Sequence, residues 1–165
     1  MKRENTFKML GIMRHLAQVL ILTLVWAKIG FSDLSALERE YGVKIDLLRI
    51  AQIESSNDPL AFNKKERAFG LYQIRNPLLA DWNASHPKEM YYEGQLFNPD
   101  VNRKLAEWYL TDRIPKMLRF YGKHVTTENI LIAYNAGIAY VVYEKELPKI
   151  TKRYLEKYFN GRNEK

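Results

Sequence analysis

The complete absence of cysteine is the feature that most constrains how this chain can fold. Without disulfide bonds or thiolate–metal sites, the folded part must be stabilised by a buried apolar core. The 165 residues are enough for one domain, and 47% hydrophobic with 27% charged residues is an ordinary globular balance. The same absence excludes an enzyme with a cysteine nucleophile.

Residues 1–27 have the layout of a secretory signal peptide. An apolar run at residues 16–27, LAQVLILTLVWA, follows a basic stretch and has small residues at the outer and last positions of Val25-Trp26-Ala27. The run is shorter than the about 20 residues that cross a bilayer. We therefore predict an exported protein of the periplasm or cell envelope, with residues 28–165 as its functional domain. The alternatives are an uncleaved segment that anchors the protein in the membrane and an amphipathic helix of the domain.

Charge and histidine content narrow the function classes. The formal net charge of +7 suits an anionic polymer, but no Arg-rich helix or nucleic-acid motif occurs, so we predict no nucleic-acid partner. His15, His86 and His124 lack metal-ligand spacing, and neither a His-Glu-x-x-His nor a Gly-x-Ser-x-Gly pattern is present. The sequence therefore predicts no metal, no cofactor and no serine-hydrolase site.

Capping residues and apolar spacing predict a mainly helical domain with a very small β element near residues 66–75. Residues 68–74, AFGLYQI, favour an extended segment or part of a small hairpin. Residues 84–97 are polar and rich in tyrosine, which is typical of a surface loop. The predicted helices are 34–41 after Ser32 or Asp33, 47–55 after Asp46 and before Asp58-Pro59, one from Asn76-Pro77, 99–121 kinked or split at Pro115, 127–136 closed by Gly137, and one from Pro148 to about Phe159.

Glu54 stands out within the predicted helix 47–55. On a helical wheel it falls in one arc with the apolar residues Leu47, Ile50 and Ala51. A carboxyl on the apolar face, near the negative end of the helix dipole, should have a raised pKa. A carboxylic acid that is neutral near pH 7 can protonate the leaving oxygen of a glycoside. The alternative is a glutamate that merely marks the helix end and points to solvent.

Three segments in order resemble the soluble lytic transglycosylase domain, a relative of goose-type lysozyme. They are residues 53–55 (IES), 70–74 (GLYQI) and 133–137 (AYNAG). Residues 96–110 and 151–154 (TKRY) are also similar to segments of that family. The resemblance covers roughly residues 33–158 and implies a lysozyme-like, mainly α fold. It also implies cleavage of peptidoglycan between N-acetylmuramic acid and N-acetylglucosamine, with Glu54 as the single acid and base. A 1,6-anhydro product forms and no water is consumed.

The resemblance implies roles for residues beside the glutamate. Ser55 would orient groups at the reacting sugar, and Gln73 would hydrogen-bond an acetamido or hydroxyl group. Tyr72 stands where the family usually has methionine, which would change how a sugar stacks there. Ser56 also departs from the family pattern, where glycine is frequent. These departures concern the sugar subsites rather than the glutamate.

Further roles come from the later motifs. Tyr134 would place its hydroxyl on the Glu54 carboxyl, or else pack in the core. Asn135 would bond to a sugar, or else act as a structural cap. Tyr154 would reach the cleft, or else lie in the core. Gly70 would allow a close backbone approach to the catalytic helix.

Three other functions remain open on the sequence. A hydrolase like goose-type lysozyme or chitinase would need a second carboxylate, with Asp58, Glu66 and Asp100 available. A non-catalytic protein could bind the wall within an envelope-spanning machine. A membrane-anchored interaction protein could use residues 84–97 as its contact surface. A small enzyme of the resembled kind would open the wall locally for a secretion, conjugation or phage-entry apparatus.

Overall fold

The computed structural model describes residues 34–160, and helices dominate this part of the chain. The predicted mainly α, lysozyme-like fold is confirmed. The predicted N-terminal segment and the caps Ser32 and Asp33 lie outside the described residues. No helix within residues 34–160 is long and apolar enough to cross a membrane. The helices are α1 (Leu34–Tyr41), α2 (Leu47–Ser55), α3 (Asn76–Ser85), α4 (Pro99–Trp108), α5 (Ile114–Phe120), α6 (Thr127–Asn135), α7 (Ile138–Val142) and α8 (Lys149–Asn160).

Helix α2 begins and ends where local chemistry dictates. The Asp46 side chain accepts a hydrogen bond from the backbone N–H of Arg49, which caps the first turn. The helix ends at Ser55, the predicted end, because Ser56 and Asn57 adopt positive φ angles of 57° and 63°. The N–H of Ser56 bonds back to the last turn in a left-handed cap. Glu54 therefore lies in the final turn of α2.

The sheet is small, antiparallel and three-stranded, in the order β1 (Phe62–Asn63), β2 (Ala68–Phe69) and β3 (Ile74–Arg75). In register, Phe62 pairs with Phe69 and Ala68 pairs with Arg75. The segment 68–74 is thus two short strands joined by a turn, as the hairpin alternative predicted. The sheet also begins earlier than residue 66, because β1 supplies its first strand.

The long helix predicted over 99–121 is split by a π-helical turn at Tyr109–Arg113. Pro115 lies two residues after Arg113 and has no N–H for the helix ladder, which explains the break. The Thr111 hydroxyl donates instead to the carbonyl of Glu107 at 2.8 Å. The turn carries Tyr109 to the inner wall of a cleft.

Residues 84–97 are more ordered than a surface loop. The Asn83 side chain makes two hydrogen bonds to the backbone of Tyr91, and the Trp82 indole donates to the carbonyl of Glu89. A 3₁₀ helix then covers Glu93–Phe97, and Leu96 within it is completely buried. The polar composition of residues 84–97 gave no indication that Leu96 would be buried.

Helix α8 closes the domain by packing against both α2 and α6. The Tyr158 hydroxyl, on a fully buried side chain, accepts a hydrogen bond of 2.8 Å from the backbone N–H of Asp46. The Arg49 guanidinium donates to the carbonyls of Lys157 and Tyr158. The first turn of α2 is therefore held to the last turns of α8. Helix α7, which the sequence did not predict, follows Gly137, whose φ is 99°.

Candidate active site

A cleft of about 680 Å³ lies where the end of α2, the small sheet, the end of α6, α7 and α8 meet. Several sequence-predicted residues line this cleft: Glu54, Gln73, Tyr134, Asn135 and Tyr154. These residues come from segments far apart in the chain, so tertiary folding, and not their spacing in the sequence, brings them together. Its size lies within the range of pockets that take a small-molecule group.

Glu54 lies on the cleft wall and is only partly exposed. Burial raises the pKa of its carboxyl from 4.5 to about 7, against the opposing charge of Arg75. The nearby Glu66 carboxylate raises the pKa further, and the Tyr154 hydroxyl lowers it. The carboxyl can therefore exist as either acid or base at neutral pH, as the helical wheel predicted.

The Tyr154 side chain is almost completely buried against the cleft. Its hydroxyl has no hydrogen-bond partner of good geometry among the described residues, yet it lies close enough to Glu54 to lower that carboxyl's pKa. Burial, followed by the charge of Glu54, raises the pKa of Tyr154 well above its usual range. The hydroxyl therefore stays protonated and can donate to Glu54 or to a bound ligand.

The Tyr134 hydroxyl has a different hydrogen-bond partner from the one predicted from the sequence. It donates to the backbone carbonyl of Tyr72 at 2.7 Å instead of contacting the Glu54 carboxyl. Burial and the proximity of Glu54 raise the pKa of Tyr134 well above its usual range. Tyr134 therefore supports the turn opposite the glutamate and presents its ring to the cleft. Local periodicity could not reveal a bond between residues 62 positions apart.

Tyr72 and Ser55 do not line the cleft. The Tyr72 side chain is 3% exposed and packs in the core, away from the cleft where its predicted effect on sugar stacking would have to arise. The Ser55 hydroxyl donates to the carbonyls of Ala51 and Leu71, which ties the end of α2 to the turn between β2 and β3. Both residues position backbone around the site instead of contacting its interior.

Gln73 and Asn135 lie in the cleft with part of each amide already bonded. The Gln73 nitrogen donates to the carbonyl of Gly70 at 2.9 Å, in a turn where Gln73 itself has a φ of 47°. The Asn135 oxygen accepts from the Thr151 hydroxyl at 2.8 Å. Each amide keeps its other end available to the cleft.

Asn102 supports the site from below and was not predicted. It is fully buried and accepts from the N–H of Tyr72, while its amide donates to the carbonyls of Phe69 and Leu96. Gly70 lies against both Asn102 and Leu96, because an added Cβ would clash with the Asn102 amide nitrogen and with the Leu96 carbonyl oxygen. The predicted close approach of Gly70 is therefore to Leu96 and Asn102, and not to α2. The spacing of Asn102 with Leu105 and Ala106, one helical face, was the available signal.

Charged residues at the cleft were also not predicted. Arg75 donates to the carbonyl of Asn135 at 2.9 Å and lies 3.5 Å from the Glu66 carboxylate. Arg153 and Lys157 of α8 line the same cleft. Arg75 lies in β3, and Arg153 and Lys157 lie in α8. The sequence pattern does not show which positions of these elements face the cleft, so these three residues could not be predicted from it.

Of the three carboxylates considered as a second catalytic group, Glu66 alone lines this cleft; Asp58 and Asp100 do not. The Asp58 carboxylate accepts from the N–H of Leu60 in an exposed turn, and Asp100 lies in the first turn of α4. Within residues 34–160, no group of three or more histidine, cysteine, aspartate or glutamate side chains could hold a metal ion.

The model of one protein family matches this chain. The family is described as the transglycosylase SLT domain, and the match covers residues 35–156. No curated protein matches the chain. The matched span includes every cleft residue discussed above except Lys157, which lies one residue beyond it.

Proposed function

The chain belongs to the transglycosylase SLT domain family, and from this premise we propose that it cleaves the bond between N-acetylmuramic acid and N-acetylglucosamine in peptidoglycan. The family is one of lytic transglycosylases that act on peptidoglycan. The observation that carries the proposal is Glu54, a carboxyl on the cleft wall whose pKa is raised to about 7. Such a group can act first as an acid and then as a base.

In the first step, neutral Glu54 donates its proton to the glycosidic oxygen as the C1–O bond breaks. The acetamido oxygen of the same muramic acid residue bonds to C1 and neutralises its developing positive charge. This substrate-assisted course needs no carboxylate nucleophile. The Tyr154 hydroxyl stabilises the Glu54 carboxylate that results, because it stays protonated beside it.

In the second step, the Glu54 carboxylate takes the proton from the C6 hydroxyl of the muramic acid residue. The C6 oxygen attacks C1, the acetamido oxygen leaves, and a 1,6-anhydro ring closes. The glutamate returns to its neutral form without consuming water. Gln73 and Asn135 hold the sugar through the free ends of their amides, and the rings of Tyr109 and Tyr134 offer apolar surface to it.

Mass spectrometry of fragments released from purified sacculi tests this proposal. The full-length protein should release muropeptides lighter by one water than the corresponding hydrolysis products, with no free reducing end. Intact sacculi after prolonged incubation would refute an enzymatic role and favour a wall-binding component.

Hydrolysis is the second candidate, because Glu66 lines the same cleft and acts electrostatically on Glu54. Glu66 would then activate a water molecule while Glu54 protonates the leaving oxygen. Glu66 is about half exposed and lies 3.5 Å from Arg75, so its carboxylate is accessible to a water molecule in the cleft. Water-containing products that disappear in a Glu66→Gln variant would establish this course instead.

We further propose that the protein acts outside the cytoplasm, because its substrate is the cell wall and residues 1–27 resemble a signal peptide. A new N-terminus near Lys28 on protein from envelope fractions is expected. Full-length protein found only in the cytosol would contradict it. An association with a secretion, conjugation or phage-entry apparatus stays a prediction from the sequence.

A further inference from the structure

Two cations of helix α8 face the cleft without an ionic partner. Arg153 and Lys157 both line the cavity, and neither forms an ion pair within residues 34–160. The other cleft cation, Arg75, is paired with Glu66. On α8 itself, Lys152 pairs with Glu146 and lies outside the cleft lining. Arg153 and Lys157 therefore differ from Arg75 and Lys152, because they line the cleft and have no ion pair among the described residues.

Helical geometry places these cations beside the reacting centre. Residues 150, 153, 154 and 157 of α8 share one face, because they are three or four positions apart. Tyr154 on this face acts on the Glu54 carboxyl. Arg153 is its immediate neighbour, and Lys157 lies about one turn, or about 5.4 Å, farther along the axis. An anionic group attached to the sugar at Glu54 would meet both charges.

The proposed substrate carries such groups. Each stem peptide leaves the glycan from the lactyl group of muramic acid, the same sugar whose C1 reacts, and it has free carboxylates along its length. Ile150, 69% exposed and on the same face, offers an apolar contact for the alanine side chains of the peptide. Charge, apolar surface and position thus match a peptide more closely than a bare sugar.

We propose that Arg153, Lys157 and Ile150 form a stem-peptide subsite that makes the enzyme prefer peptide-bearing glycan over stripped glycan. This inference rests on the proposed function and names the part of the substrate that the cleft selects. The two cations bind carboxylates and Ile150 contacts the peptide's methyl groups. Because the subsite is open to solvent, each cation contributes modestly and salt weakens the preference.

Binding is measured first, so that the test does not depend on turnover. The full-length Glu54→Gln protein is titrated with soluble glycan strands, either peptide-bearing or stripped of peptides by an amidase. We expect about tenfold tighter binding of the peptide-bearing strands. Arg153→Gln and Lys157→Gln should each weaken that binding about threefold, and the double variant should erase the preference. Binding of stripped strands should not change, and the matched control Lys152→Gln should behave as the parent.

Equal affinity for both strands, or a preference that survives in the double variant, would overturn the subsite. So would retention on phosphatidylglycerol vesicles that the double variant loses while glycan binding shows no preference, because the cations would then serve a membrane surface. Cleavage by the wild-type protein is scored separately. A binding preference without any cleavage would refute the proposed reaction and leave the subsite standing; cleavage without a preference would refute the subsite alone.

Discussion

The covered part of the cleft wall (the floor, with Glu54 and Tyr154) and its exposed part (the rim, with Glu66 and Arg75) each contain a glutamate, under opposite conditions. On the floor, Glu54 is enclosed by protein and its pKa rises to about 7, while the Tyr154 hydroxyl beside it is buried. On the rim, Glu66 is about half exposed and forms an ion pair with Arg75. Both are glutamates of one cleft, yet burial raises the pKa of Glu54 while the Glu66 carboxylate is open to solvent and paired with a cation.

The difference shows that surroundings, and not residue type, assign acid–base chemistry. Burial is the largest cause of the raised Glu54 pKa, and the opposing Arg75 only moderates it. Burial in turn depends on α8, the turn between β2 and β3, and the end of α6. The chemical capacity of Glu54 is thus a property of the packing around it.

The largest expected effect separates the two glutamates directly. Glu54→Gln should lower glycan cleavage by at least about a thousandfold, because in the proposed mechanism one group serves as both acid and base. Glu66→Gln should keep most of the activity, since ring closure needs no second carboxylate. Release of 1,6-anhydro products from sacculi measures both variants, with circular dichroism melting to confirm folding. Full activity in Glu54→Gln would contradict the conclusion that the two glutamates differ in their acid–base function.

The largest change in the free energy of unfolding is expected from loss of the buried Asn102 side chain. Asn102→Ala removes three buried hydrogen bonds and leaves backbone groups unpaired, so it should destabilise the fold by about 3–5 kcal/mol. The adjacent exposed Arg103→Gln is the matched control and should cost under about 0.5 kcal/mol. Denaturant unfolding compares the two, and similar midpoints would mean that the buried amide contributes little.

The raised pKa of Glu54 predicts a pH-dependent difference in stability. Ionising the carboxyl in the folded state is unfavourable, so wild-type stability should fall as pH rises from 4.5 through about 7. Glu54→Gln lacks this loss and should gain up to about 3 kcal/mol relative to wild type above pH 7, and nothing from this source below pH 4.5. Unfolding curves at pH 4 and pH 8 are sufficient. A constant difference between the two proteins would mean that Glu54 titrates normally.

The smallest expected effects distinguish two tyrosine hydroxyls on the floor. Tyr134→Phe breaks a bond of 2.7 Å to the Tyr72 carbonyl and should cost about 1–2 kcal/mol. Tyr154→Phe removes a hydroxyl without a well-formed bond, so stability should hold. Because that hydroxyl lowers the Glu54 pKa, the fall of activity with rising pH should move to higher pH in Tyr154→Phe. An unshifted pH profile would show that Tyr154 does not act on the carboxyl.

The sequence predicted the elements well where short-range chemistry decides them. The Asp46 cap and the apolar arc defined α2 and the inward direction of Glu54. Pro115 predicted the break in the long helix, although the π-helical turn before it was not foreseen. The family resemblance supplied Gln73, Asn135 and Tyr154, all of which line the cleft.

Contacts between distant residues could not be predicted in this way. Tyr134 was expected to bond to Glu54 and instead bonds to the Tyr72 carbonyl, a group that every residue possesses and no pattern singles out. Tyr72 was expected at a sugar and lies in the core, because the direction of a side chain in a tight turn depends on its tertiary neighbours. The same reason hid Arg75, whose partners lie on α6 and in the turn between β1 and β2.

The contact between Asp46 and Tyr158 spans 112 positions of sequence, so the start of α2 gains this attachment only after α8 has been synthesised. Ribosomes synthesise a polypeptide from its N-terminus, so Glu54 emerges long before α8. Until α8 arrives, the glutamate lacks the wall that carries Tyr154, and the start of α2 lacks its attachment. A chain that stops before α8 therefore lacks part of the surroundings that raise the pKa of Glu54.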